Sequence, residues 1–203
     1  MFKYGTNEMK KSYYNWADVE TAADAIMLGM YKDTWMPDVI VGITRGGLPL
    51  ALLLSHRIGV PMETLKVQLR DGDGDASTEC NLWLPEMAFG YVDVEDRENT
   101  KCRWDINKRK NILIVDDIND TGATFNWIKN DWQSGCFPNE VDAWKSVWHK
   151  NVKFAAMTQN WSSDFQDTDY YWDEVNKAED DVWLVYPWER DRWLKKINSL
   201  TKV

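Results

Sequence analysis

Four aliphatic residues, Ile112 to Val115, run into two adjacent acids, Asp116 and Asp117, and a hydroxyl-rich turn, Asp120-Thr121-Gly122-Ala123-Thr124, follows almost at once. Carboxylates accept hydrogen bonds from vicinal hydroxyls or bind Mg²⁺. Two side by side repel each other, so something outside the chain must offset that repulsion. The turn behind them offers backbone N–H groups and two hydroxyls at a helix start, which suits a phosphate. A second turn, Thr44-Arg45-Gly46-Gly47, offers unobstructed N–H groups beside a guanidinium and suits a phosphate or pyrophosphate. Two anion cradles with a hydroxyl-binding acid pair between them describe a sugar phosphorylated at both ends.

Such residues need elements that bring the turns together. Asn15 followed by Asp18 reads as a helix start, and Trp16, Val19, Ala23, Ile26, Met27 and Met30 fall at helical spacing over 16–31. DVIVGI (38–43) reads as a strand buried on both sides, and LPLALLLSHRI (48–58) as a helix closed by Gly59 and Pro61. With ETLKVQL (63–69) as the next strand, this is a βαβ unit. Residues 71–107 lack long periodic patterns and are expected to form a flexible lid or excursion. NILIV (111–115) is a second buried strand, followed by a helix with Phe125, Ile128 and Trp132 on one face. VDAWKSVW (141–148) and KFAAM (153–157) are further strand candidates, WLVY (183–186) the last strand, and PWERDRWLKKINSL (187–200) a terminal helix. This order predicts an α/β fold with a mostly parallel, doubly wound sheet, in a single domain over 1–203. Ligands of such sheets sit beyond the carboxyl ends of the strands, where both turns fall.

The bulk composition narrows the function further. The net charge of -9 argues against a non-specific nucleic-acid binder. No segment approaches a membrane span, and the N-terminus lacks a signal-peptide core. Cys80, Cys102 and Cys136 lack CxxC spacing and are expected as reduced thiols, which places the protein in the cytoplasm. His56 and His149 are too distant in sequence to suggest zinc, and DGDGD (71–75) lacks the glycine and glutamate of a calcium loop. The thirteen tryptophans are expected to fill core or an interface.

ILIVDDINDTGAT (112–124) resembles the signature of the type I phosphoribosyltransferases, which use phosphoribosyl pyrophosphate (PRPP). VIVGITRGGLPLALLLSHRIGVP (39–61) is similar to that family's pyrophosphate loop and following helix. WLVYPWE (183–189), with DYYW (169–172) upstream, is similar to the base-binding hood of the xanthine-guanine (purine) branch, here over about 158–190. The resemblance implies that Asp116 and Asp117 hold the ribose hydroxyls and that Asp120, Thr121, Gly122, Ala123 and Thr124 wrap the 5′-phosphate. It implies that Thr44, Arg45, Gly46 and Gly47 hold pyrophosphate, with a non-proline cis peptide near Arg45. Asp120 becomes the general base toward N7 of a purine, and Trp183 stacks on the base while backbone from Trp183 through Leu184 to Val185 reads its edge. Asp116, Asp117 and Glu189 become the Mg²⁺ ligands. One departure stands out: QNW (159–161) falls where purine-using relatives carry Lys-Pro, and Asn160 is the nearest counterpart of the lysine that donates to the 6-oxo group.

The resemblance therefore implies a homodimeric, Mg²⁺-dependent enzyme of nucleotide salvage, with PRPP and a nucleobase, a 6-oxopurine, as substrates. Two other readings remain open at this point. One is a non-catalytic regulator of the same fold that senses PRPP or nucleotides; the acidic balance and the presence of Asp120 count against it. The other keeps the chemistry and changes the acceptor to a pyrimidine or a modified base.

Overall fold

A computed structural model describes residues 10–67, 69, 83–91, 104–135 and 141–189. In chain order the elements are β1 (Lys10–Tyr13), α1 (Trp16–Lys32), β2 (Val39–Thr44), α2 (Leu48–Ile58), β3 (Met62–Lys66), α3 (Trp83–Phe89), β4 (Ile112–Asn119), α4 (Ala123–Gly135), α5 (Val141–Trp144), β5 (Val152–Asn160), β6 (Tyr170–Val175) and β7 (Val182–Val185), with a 3₁₀ turn at Ile106–Lys108. Five strands form one sheet in the order β3-β2-β4-β5-β6, and every pairing is parallel. β1 and β7 form a separate two-stranded parallel sheet.

Side chains alternate between the two faces of a strand, so each central strand feeds two cores. Ile40, Leu113, Val115, Ala155 and Met157 pack under α1 and α2 with Val19, Ile26, Leu50 and Leu54. Val41, Ile43, Ile112, Ile114 and Phe154 face the other way, onto Leu84 and Phe89 of α3, Phe125, Ile128 and Trp132 of α4, and Trp144. Helices on both faces of a parallel sheet make the fold doubly wound, as the sequence order predicts. The α1 boundary follows from its cap: Asn15 accepts from the N–H groups of Ala17 and Asp18, and Asp18 accepts from the N–H of Asn15.

One expectation needs correction. VDAWKSVW is not a strand: Val141–Trp144 is a helical turn, and Trp144, Val147 and Trp148 are buried on one side, the i, i+3, i+4 pattern of a helix. The edge place in the sheet beside β5 belongs instead to Tyr170–Val175. Within the expected lid, Trp83–Phe89 forms a short helix with Leu84, Ala88 and Phe89 buried against the sheet. The remainder of that lid at 71–82 and 92–103, the three cysteines, DGDGD and the terminal helix from 190 onward lie outside the described residues. Among the described residues no helix is long and apolar enough to cross a membrane.

The tryptophans divide by environment. Trp132 and Trp144 are fully buried, and Trp148 stacks on Trp144 with centroids 5.2 Å apart. Trp16, Trp83, Trp161 and Trp183 are exposed.

Candidate active site

The chain enters β3 on one side of β2 and returns to β4 on the other, so the sheet reverses its order between β2 and β4. A crevice opens at such a point. The register shows where: β2 pairs with β4 only as far as Gly42–Val115, whereas β4 stays with β5 to Asn119–Gln159. From Asp116 onward β4 has lost its β2 neighbour, and this is where the acids begin. A cleft of about 1130 Å³ lies there, lined among others by Thr44, Arg45, Gly46, Asp116, Asp117, Asp120 through Thr124, Trp183, Leu184 and Glu189.

Close approach explains the glycines of the first turn. A Cβ on Gly46 would stand 2.5 Å from Asp117 Cγ, and one on Gly47 would stand 2.8 Å from Asp116 Cα. The β2 turn is thus pressed against the acid pair with no room for side chains, and the Thr44–Arg45 peptide is cis. In the second turn Gly122 has φ +83, a left-handed conformation that glycine adopts without strain. Thr121 Oγ1 accepts from the N–H of Ala123 at 3.3 Å, and the first N–H groups of α4 have no intrahelical partner. Residues of both turns therefore border one volume.

Each acid accepts from the backbone N–H that follows it. Asp116 Oδ1 accepts from the N–H of Asp117 at 2.9 Å, and Asp117 Oδ1 from the N–H of Ile118 at 2.8 Å. Burial pushes the Asp117 carboxyl above the ordinary carboxylate range, and the nearby Glu189 charge adds to the shift, opposed by the N–H of Ile118. A carboxylate so placed gains from a hydroxyl donor or a cation. Among the described residues no three His, Cys, Asp or Glu side chains gather into a self-contained metal site. Mg²⁺ takes only one or two carboxylates and completes its shell with water and ligand phosphates, and the carboxylates of Asp116, Asp117 and Glu189 all line the cleft.

Tyr186, directly after β7, ties that strand to the acid pair. The Tyr186 hydroxyl lies 3.1 Å from the Asp117 carbonyl oxygen and 3.1 Å from Thr158 Oγ1, and its ring stacks on Trp188 and on Tyr14. Burial raises the Tyr186 hydroxyl well above its usual pKa, so it stays a proton donor. Tyr14 in turn donates to Asp173 of β6. The hood is therefore built from both ends of the described chain, since β1 supplies the neighbour of β7.

Comparison with known proteins places this arrangement. The model of the phosphoribosyl transferase domain matches residues 9–130, which carry both turns and the acid pair. The chain belongs to the phosphoribosyltransferase family. Among solved structures it is similar to a purine phosphoribosyltransferase from Pyrococcus horikoshii, with 24% identity, 90% of this chain and 95% of that one covered, and a TM-score of 0.56. It is similar to the Helicobacter pylori xanthine-guanine-hypoxanthine phosphoribosyltransferase at 16% identity, covering 93% and 99%, with a TM-score of 0.57. A Neisseria gonorrhoeae protein solved with bound ppGpp gives 17% identity, 97% and 98% coverage, and a TM-score of 0.57. At these identities the likeness is one of fold. No curated protein matches the chain in sequence.

Within this phosphoribosyltransferase cleft, most of the residues singled out from sequence meet. Gly47 and Val185 stand just outside its lining, and so does Asn160. Asn160 is buried and its amide is engaged within the protein: Nδ2 donates to the Asp120 carbonyl at 2.9 Å, and Oδ1 accepts from Ser162 Oγ and from the N–H of Lys177. Asn119 is likewise structural, with Nδ2 within 2.6–3.1 Å of Phe165 O, Gln159 Oε1 and Thr168 Oγ1. Sequence reasoning missed Lys177 and Tyr186, which both line the cleft. Lys177 sits in a polar turn 57 residues from its partner Asp120, so nothing local marks it.

Proposed function

We propose that this protein transfers the 5-phosphoribosyl group of PRPP to a nucleobase, a 6-oxopurine, and releases pyrophosphate. The observation that carries this reading is that Arg45, the acid pair and the Asp120–Thr124 turn all line one cleft, so a single doubly phosphorylated sugar can reach all three.

Asp116 and Asp117 accept hydrogen bonds from the ribose hydroxyls and fix C1 relative to the acceptor. The Asp120–Thr124 turn holds the 5′-phosphate, and the Thr44–Gly47 turn with Arg45 takes up charge on pyrophosphate as the C1–O bond breaks. Ring nitrogen N9 of the base bonds to C1, and the proton on N7 leaves for Asp120. Carboxylates among Asp116, Asp117 and Glu189 would hold Mg²⁺, whose chemistry there would be neutralisation of pyrophosphate charge. Trp183, half-exposed and on the cleft wall, offers a flat face to the base.

The test is pyrophosphate release from PRPP and Mg²⁺ with a panel of purines and pyrimidines. Release with hypoxanthine, guanine or xanthine is the expected result. PRPP binding without release from any base would overturn the transferase reading and favour a regulator that senses PRPP or nucleotides.

A further inference from the structure

Lys177 lies in the turn 176–181 between β6 and β7, on the segment that leads to Trp183. Its Nζ donates to Asp120 Oδ2 at 3.0 Å. Its own backbone N–H donates to Asn160 Oδ1 at 3.1 Å, while Asn160 Nδ2 donates to the Asp120 carbonyl at 2.9 Å and to Asp120 Oδ1 at 3.3 Å. Asn160 thus clamps two things at once, the start of the second anion cradle and the turn that carries Lys177. With its amide engaged in this way, it is a positioning residue and not a donor to ligand.

Lys177 supplies what Asn160 cannot. Among the described residues lining the cleft the cations are Arg45, on the β2 turn, and Lys177. The Lys177 side chain is 19% exposed, so it is held against the wall yet still open to the cleft. An ammonium carries three donors, and one acceptor, Asp120, engages it among the described residues. A donor that cannot accept and a carboxylate that can therefore stand 3.0 Å apart in a cleft that the exposed Trp183 also lines.

We propose that Lys177 determines acceptor specificity: together with Asp120 it reads a base edge on which a ring nitrogen adjoins an exocyclic oxygen. This rests on the transferase reading above. The Asp120 carboxylate receives the ring N–H and the Lys177 ammonium donates to the neighbouring oxygen. Guanine and hypoxanthine carry N7 beside O6 on that edge, whereas adenine carries N7 beside an amino group. Lys177 has no lone pair for that amino group, so adenine leaves donor facing donor. The cationic donor reaches the base from the turn before β7 and not from the end of β5.

The test uses the full chain and pyrophosphate release, with hypoxanthine and adenine as alternative acceptors and Lys177→Met and Lys177→Arg as variants. The wild type is expected to prefer hypoxanthine. Lys177→Met should lose about 10- to 100-fold in kcat/KM for hypoxanthine, the loss of one charged hydrogen bond, with the effect mainly in KM for the base. KM for PRPP should stay within about twofold, the preference over adenine should narrow, and Lys177→Arg should recover part of the loss. An unchanged hypoxanthine-to-adenine ratio in Lys177→Met overturns the inference, as does an equal loss with both bases and with PRPP, which would mark Lys177 as merely structural. Absence of release by the wild type with every base overturns the transferase reading itself, which is a separable result.

Discussion

Gly46→Ala separates the site from the scaffold. The added Cβ would stand 2.0 Å from Asp117 Oδ2 and 2.5 Å from Asp117 Cγ, whereas carbon atoms in contact settle at about 3.5 Å or more. The Asp117 carboxylate must therefore withdraw by about 1 Å, which its side chain can do by rotating within the cleft wall. A misplacement on that scale costs about 10²-fold in rate when it falls on a group that orients substrate. Gly47→Ala is the matched control, because its Cβ would stand 2.8 Å from Asp116 Cα, in the backbone of a central strand that cannot step aside. Overpacking of that kind costs about 1–3 kcal/mol, or roughly 2–12 °C in Tm for a chain of this size. Steady-state kinetics with PRPP as varied substrate, alongside thermal melts of both variants, read out the contrast. Gly46→Ala should lose about 100-fold in kcat/KM with a nearly native Tm, while Gly47→Ala should show the larger drop in Tm. Native kinetics in Gly46→Ala would refute the claim that Asp117 orients the sugar, and equal destabilisation of the two would refute the separation.

Asp117→Asn should stabilise the ligand-free protein at neutral pH while abolishing most turnover. Its folded-state carboxyl is raised by burial and by Glu189, so the cost of ionising it is absent below the unfolded value of 3.8, grows as pH rises through the raised pKa and is full above it. The Tm difference between variant and wild type should accordingly widen with rising pH; a difference that shrinks contradicts the sign. Trp183→Ala should raise KM for the base by roughly 5- to 150-fold, the worth of one stacked ring, and leave KM for PRPP unchanged, as paired titrations of each substrate will show. Asn119→Leu should lower Tm by roughly 2–12 °C, because it strips the buried partners Ser163, Gln159 and Thr168 of a shared amide at about 1–3 kcal/mol; an unchanged melt would refute that network.

How much of this was legible in the chain depends on how local the signal is. α1 and α2 announce themselves through Asn15, Gly59 and their periodicity, and β2 and β4 through unbroken aliphatic runs. The acid pair and both turns are likewise contiguous in sequence, so this half of the cleft lining could be read directly. VDAWKSVW misled because valine and tryptophan are strand-favouring residue types, while the burial that decides the matter follows the helical spacing of Trp144, Val147 and Trp148. β1 gives no apolar signal at all, since Lys10 to Tyr13 are all exposed and are held by backbone pairing to β7. The cluster of Asp120, Asn160 and Lys177 comes from three separate segments, and only the fold brings those together.

A competition titration tests the central claim most directly. PRPP should be displaced from the protein by ribose 5-phosphate and, separately, by pyrophosphate, while saturation with ribose 5-phosphate leaves pyrophosphate binding intact, because each fragment fills a different cradle of one cleft. If neither fragment displaces PRPP, or if the two compete for a single locus, the pair of cradles does not grip one doubly phosphorylated sugar and the account is wrong.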